Sequence, residues 1–230
     1  MSFDGFVLVH GGMHGGWCWE DVQPLLDRPS IAVDLPGRGR RPLDAQPVTL
    51  ARCVDAVIAD ANEAGFDRFV LVGHSMGGLT ITEVANRHPQ RVEHLVYVAA
   101  LAPPPRVSTL ELFARDSAPA IADLTSVQPL MERERARFQF ASDLDEAAFD
   151  RMYERCVDEP IGLFVEGVSG YSPVSATYVY CTRDATVSSA LTQQMLSHLQ
   201  PAQYVELDSD HDVMLSHPSL LADVLNRAVD

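Results

Sequence analysis

Six short, continuous apolar runs recur along the chain, and the segments between them space their apolar residues as a helix does. This alternation limits the fold more than any other feature. The runs fall at residues 6–9, 31–33, 69–72, 95–98, 178–180 and 204–207. Uninterrupted apolar runs of this length suit strands covered on both faces by helices. Between them, Val54, Val57, Ile58 and Ala61 share one helical face, as do Leu191, Met195, Leu196 and Leu199, and again Leu220, Leu221, Val224 and Leu225. The expected fold is α/β: a doubly wound, mostly parallel six-stranded sheet flanked by helices. The rhythm breaks between Pro103-Pro104-Pro105 and Tyr171-Ser172-Pro173, where a stretch rich in Glu, Arg, Phe and Met reads as helical without a strand run. That stretch is expected to be a helical lid, residues 103–173, inserted into a core of 1–102 and 174–230 within a single domain.

Length and composition agree with such a domain. A chain of 230 residues with 47% hydrophobic and 21% charged residues can bury a full core. Seventeen Lys+Arg against 32 Asp+Glu leave a net charge of -15, which repels nucleic acids and anionic membranes, so neither is expected as a partner. Cys18, Cys53, Cys156 and Cys181 are scattered without a CxxC pair and read as buried reduced thiols. The opening Met1-Ser2-Phe3-Asp4-Gly5 has no basic region or long apolar run, which points to a cytoplasmic protein without a signal or membrane span.

The chemistry is concentrated in Gly73-His74-Ser75-Met76-Gly77, a G-x-S-x-G motif between an apolar run and a helical stretch beginning near Leu79. A sharp strand-to-helix turn there holds the serine in a strained conformation and lifts its hydroxyl above the sheet. Serine is a weak nucleophile at neutral pH and needs a base, and the base needs an acid to fix its tautomer. Asp184 and His211 each follow a run, where open parallel sheets place their sites. Asp208, Asp210 and Asp212 also surround His211, but each lies so close in sequence that the imidazole would have to fold back on its own loop. The expected catalytic set is therefore Ser75, Asp184 and His211. The backbone N–H groups of Met76 and Gly12 are the expected oxyanion donors.

Other titratable groups receive quieter readings. His88, His94, His198 and His217 are expected to be solvated or capping, and His74 to pack. His10 and His14 lack a carboxylate or thiolate at ligand spacing, so no metal is expected. Gly37-Arg38-Gly39-Arg40 lacks the third glycine of a dinucleotide loop, so no cofactor is expected either. In the inserted stretch, Met131, Phe138, Phe140, Phe149, Met152 and Phe164 either pack a helical cap or line a substrate pocket, and Arg133, Arg135 and Arg137 read as a solvated face.

With these motifs in place, the chain resembles the α/β-hydrolase superfamily over nearly its whole length. Asp34-Leu35-Pro36-Gly37-Arg38-Gly39 is similar to that superfamily's D-x-P-G-x-G turn, and Ala99-Ala100 to its entrance to the cap. Residues 6–19, FVLVHGGMHGGWCW, and residues 209–215, SDHDVML, resemble the plant methylesterase and hydroxynitrile lyase group. The resemblance implies a small lid over 103–173. It also separates the group's two branches: the lyases carry threonine where Gly11 stands and lysine where Asp212 stands, and a carboxylate at 212 opposes the charge of cyanide. The implied activity is hydrolysis of a small-molecule carboxylic ester through an acyl-enzyme. Lactone, thioester, amide or carbon–carbon bond hydrolysis, or ligand reception without turnover, stand as alternatives on the same fold.

Overall fold

The computed structural model describes residues 3–114 and 121–228; Met1, Ser2 and residues 115–120 of the expected lid lie outside them. Among the described residues, eight strands run in chain order as β1 (Gly5–Val9), β2 (Ser30–Val33), β3 (Phe69–His74), β4 (Val92–Val98), β5 (Val127–Gln128), β6 (Glu159–Pro160), β7 (Ala176–Cys181) and β8 (Gln203–Leu207). Six of them form one sheet in the order β2-β1-β3-β4-β7-β8, and every pairing in it is parallel. Each of the six apolar runs lies within one of these strands.

The helices are α1 (Leu50–Glu63), α2 (Gly77–Arg87), α3 (Thr109–Ala114), α4 (Arg133–Phe140), α5 (Glu146–Arg155), α6 (Ser189–Leu199), α7 (Val213–Ser216) and α8 (Pro218–Arg227). None of the described helices is long and apolar enough to cross a membrane. Local chemistry sets their ends. The Thr49 hydroxyl accepts from Arg52 N–H at 3.3 Å to open α1, and the Ser188 hydroxyl accepts from Leu191 N–H at 3.3 Å to open α6. Gln200, at φ +48°, closes α6 in the left-handed region.

β3 shows why the runs are unbroken. Phe69 and Leu71 belong to one buried cluster with α1 and α2, while Val70 and Val72 belong to a second with Trp19, Met214 and α8. Side chains alternate faces along a strand, so two covered faces demand apolar residues at every position. The sheet register then sets Val9 beside both Val33 and Gly73. This brings the loop after β1 against the turn after β3.

Between β4 and β7 the chain runs through α3, β5, α4, α5 and β6. The expectation of no strand in this stretch is corrected: β5 and β6 pair antiparallel, Val127 with Pro160 and Gln128 with Glu159. Runs of two residues carry too little periodicity to be read from sequence. Phe149 and Met152 pack with Phe140, Leu144 and Met13 in a third cluster, whereas Phe138 is 69% exposed. Arg133 and Arg137 lie over the Phe149 ring and pair with Glu146, so that face is more structured than a simply solvated one.

Leu71 is fully buried at the centre of the sheet. Leu71→Ala is expected to lower unfolding free energy by about 2–5 kcal/mol, through lost burial and the cavity left behind. Urea denaturation with an unchanged m-value would register it.

Candidate active site

Where β3 passes into α2, the backbone of Ser75 adopts φ +50°, a left-handed conformation uncommon for a residue with a side chain. The turn is pinned on both sides. Ser75 N–H donates to the Val98 carbonyl at 3.2 Å, and the Ser75 carbonyl accepts from Gly78 N–H at 3.0 Å and Leu101 N–H at 2.9 Å. Gly77 must be glycine on space alone: a Cβ there would sit 2.7 Å from the His10 carbonyl oxygen and 2.8 Å from that of Val9. Met76 caps the start of α2, where N–H groups lack intrahelical partners and the helix dipole is positive.

Asp184 follows β7 and His211 follows β8, and the two meet. His211 Nδ1–H donates to Asp184 Oδ2 at 2.7 Å, both side chains being almost completely buried. The other carboxylate oxygen of Asp184 accepts from the N–H groups of Thr186 at 2.7 Å and Val187 at 2.9 Å, which fixes its plane. Burial opposes charging of His211, yet the carboxylates of Asp184, Asp212 and Asp210 outweigh it and hold its pKa above the ordinary imidazole value.

The three nearby aspartates are engaged elsewhere. Asp208 pairs with Arg183. Asp210 accepts from Asp143 N–H at 2.7 Å and from the Ser216 hydroxyl at 3.0 Å, and burial pushes its carboxyl up to about 6. Asp212 accepts from His14 Nε2–H at 3.0 Å.

Ser75 and His211 both line a cavity of about 130 Å³, together with Gly12 and Met76. Its wall is mostly apolar, built from Leu101, Phe113, Met131, Phe140, Phe164 and Val187. All five of the expected site residues except Asp184 face this space, and Asp184 reaches it through His211.

Several buried polar groups around the cavity escape a sequence reading. His10 Nδ1–H donates to the Gly11 carbonyl at 2.7 Å while its Nε2 accepts from Leu35 N–H at 3.1 Å, and burial lowers its pKa to about 3, so it is neutral. His74 Nε2–H donates to the His211 carbonyl at 3.1 Å, and burial beside His211 holds its pKa well below the usual value. His14 differs. Its Nδ1 lies 2.8 Å from the Gly12 carbonyl and its Nε2 contacts Asp212, and both partners are pure acceptors. Both nitrogens must therefore carry protons. Burial opposes that charge and Asp212 overcomes it, leaving the pKa raised.

Glu159, from β6, accepts from Arg38 Nη2 at 2.5 Å and from Met13 N–H, and burial raises its carboxyl pKa. His74, His211 and Asp212 offer ligand atoms within 4.8 Å of one another; His74 Nε2 and His211 Nδ1 serve the bonds just described, while His74 Nδ1 is buried without a hydrogen-bond partner. His94 is a correction: it lies in β4, buried, with Nε2 2.8 Å from the Thr177 hydroxyl, rather than in a solvated or capping position. The HGGMHGG spacing after β1 signalled a special loop; the partners 198 and 146 residues away from its members could not be read from it.

A serine on a left-handed strand-to-helix turn, with a His–Asp pair from later strand ends facing the same cavity, defines a hydrolase-type site on a parallel α/β sheet. The chain belongs to the alpha/beta hydrolase family, whose profile matches residues 6–224. It is similar to Methylesterase 8 of Arabidopsis thaliana, 27% identical over 252 residues and covering 98% of this chain and 89% of that one. Carbendazim hydrolyzing esterase of Nocardioides sp. (strain SG-4G) is 36% identical over 121 residues, 51% of this chain and 50% of its own. Among solved structures, the methylesterase protein MES16 from Arabidopsis superimposes with a TM-score of 0.82 at 25% identity, covering 98% of each chain.

The strain at position 75 can be weighed by two variants that both lack the hydroxyl. Ser75→Gly is expected to be more stable than Ser75→Ala by about 1 kcal/mol, because only glycine enters the left-handed region freely. Paired urea titrations would measure the difference.

Proposed function

We propose that the protein is a serine esterase that cleaves a small carboxylic ester through Ser75, His211 and Asp184. The observation that carries the reading is the His211–Asp184 bond beside a cavity shared with a strained Ser75. With Nδ1 committed to Asp184, Nε2 of His211 is the nitrogen left to act on substrate chemistry. In the proposed reaction it takes the Ser75 proton as Oγ bonds to the ester carbonyl carbon. The N–H groups of Gly12 and Met76 hold the oxyanion. His211 then returns the proton to the leaving alcohol, and water releases the acid by the same steps in reverse.

Residues 103–173 act as the cap in this reading, and the apolar side chains they place in the cavity favour an uncharged ester. The relatives named as methylesterases and esterases support ester cleavage as the reaction class.

Ser75→Ala is expected to abolish turnover of p-nitrophenyl acetate. Asp184→Asn should leave folding intact while lowering kcat by up to about 10⁴, because the imidazole tautomer is no longer fixed. Parental turnover in Ser75→Ala would remove the assignment, and ligand binding without turnover in the parent would turn it toward reception.

His211 must be neutral to accept a proton, and its raised pKa means that protonation competes at higher pH than for a free imidazole. The rate should therefore fall with decreasing pH, with its midpoint above about 6.5. A pH profile of kcat/KM checks this, and a midpoint below that value would contradict it.

A further inference from the structure

The two peptide units that flank Gly12 are gripped by side chains the proposed ester chemistry leaves unused. In the Gly11–Gly12 peptide, the carbonyl accepts from neutral His10. In the Gly12–Met13 peptide, the carbonyl accepts from His14 Nδ1–H at 2.8 Å and the N–H donates to Glu159. The next carbonyl, that of Met13, accepts from Val157 N–H at 3.0 Å. Met13 is held at φ +63°, a conformation that persists in a residue with a side chain only where its surroundings over-determine it. Those surroundings are now identified: a cation on one end of the peptide and an anion on the other.

We propose that His14, held by Asp212, and Glu159, held by Arg38, are positioning residues that clamp the Gly12–Met13 peptide at both ends and so aim the Gly12 amide at the oxyanion. The clamp rests on the role proposed for Gly12 above. It joins three distant parts of the chain: the loop after β1, the residue following His211, and β6 of the inserted stretch.

Space and charge both fit this assignment. A Cβ added at Gly12 would meet Glu159 Oε2 at 3.1 Å and the side-chain Sδ of Met76 at 3.0 Å, so the loop backbone lies close to the carboxylate with little room for a side chain. A lone carboxylate there would repel an oxyanion. Arg38 and the His14 imidazolium offset the charges of Glu159 and Asp212; the other titratable groups near them are the imidazoles of His10, His74 and His211, the thiols of Cys18, Cys53 and Cys156, held up by burial, and the carboxyl of Asp210. His14 is also wedged against the rings of Trp17, Phe140 and His74, which fixes its plane.

The first test needs no variant. Nitrogen-15 NMR of the full chain at about pH 8, more than one unit above the ordinary histidine pKa, should find His14 protonated on both ring nitrogens; a neutral ring would overturn the clamp. The second test is kinetic. Glu159→Ala and Asp212→Ala should lower plateau kcat on p-nitrophenyl acetate by about tenfold or more, less than the 10²–10³ of losing a donor outright. KM should stay within about twofold.

Glu159→Gln and Asp212→Asn retain a neutral acceptor and should recover part of the loss. The acid limb of the pH profile should not move in the Glu159 variants, because the base is untouched. Parental kcat in folded alanine variants, or a loss confined to KM, would overturn the proposal. If Ser75→Ala also keeps turnover, the parent assignment has failed; if Ser75→Ala is inactive, only the clamp has.

Discussion

The backbone turn at Ser75 is the constraint on which the rest depends. A residue with a side chain is held in a left-handed conformation because strand β4 supplies an acceptor for its N–H and the chain beyond β4 supplies a donor for its carbonyl. The parallel sheet makes this possible. Its register puts β3 between β1 and β4, so the loops leaving all three strands crowd around one point. Small residues at 73, 77 and 78 are then a consequence of crowding and not of flexibility.

Electrostatic differentiation is the second theme. Four imidazoles, of His10, His14, His74 and His211, lie buried within one loop cluster, yet they divide into two kinds. His10 bonds a carbonyl and an amide, and His74 bonds a carbonyl with the Asp212 carboxylate farther off at 3.7 Å; in both, desolvation dominates and keeps the ring neutral. His14 and His211 each face a carboxylate, which reverses the balance. Residue type is shared by all four; the charge state is set by whether a directly bonded carboxylate outweighs the desolvation of each ring.

The sequence made much of this readable and left some of it hidden, for physical reasons. Unbroken apolar runs reveal strands covered on both sides, so all six strands of the main sheet could be anticipated. The elbow motif is local, and the residues after β7 and β8 follow from sheet topology, so Ser75, Asp184 and His211 could be singled out in advance. The pairing of His14 with Asp212 depends on how the loops after β1 and β8 meet, and that of Met13 with Glu159 on how the inserted stretch meets the loop after β1. No periodicity encodes that. β5 and β6 were missed for a similar cause, being too short to show alternation, and His94 was misjudged because a histidine at a strand position gives no sign of the threonine across from it.

Met13 ties the loop after β1 to the inserted stretch twice, its carbonyl accepting from Val157 N–H and its N–H donating to the Glu159 carboxylate. Phe113, 48% exposed, together with Thr186 lines both the inner cavity and an outer cleft. Among the described residues, Phe113 and Thr186 are the two side chains common to both spaces, so a change in the bulk of that ring is felt on either side of it.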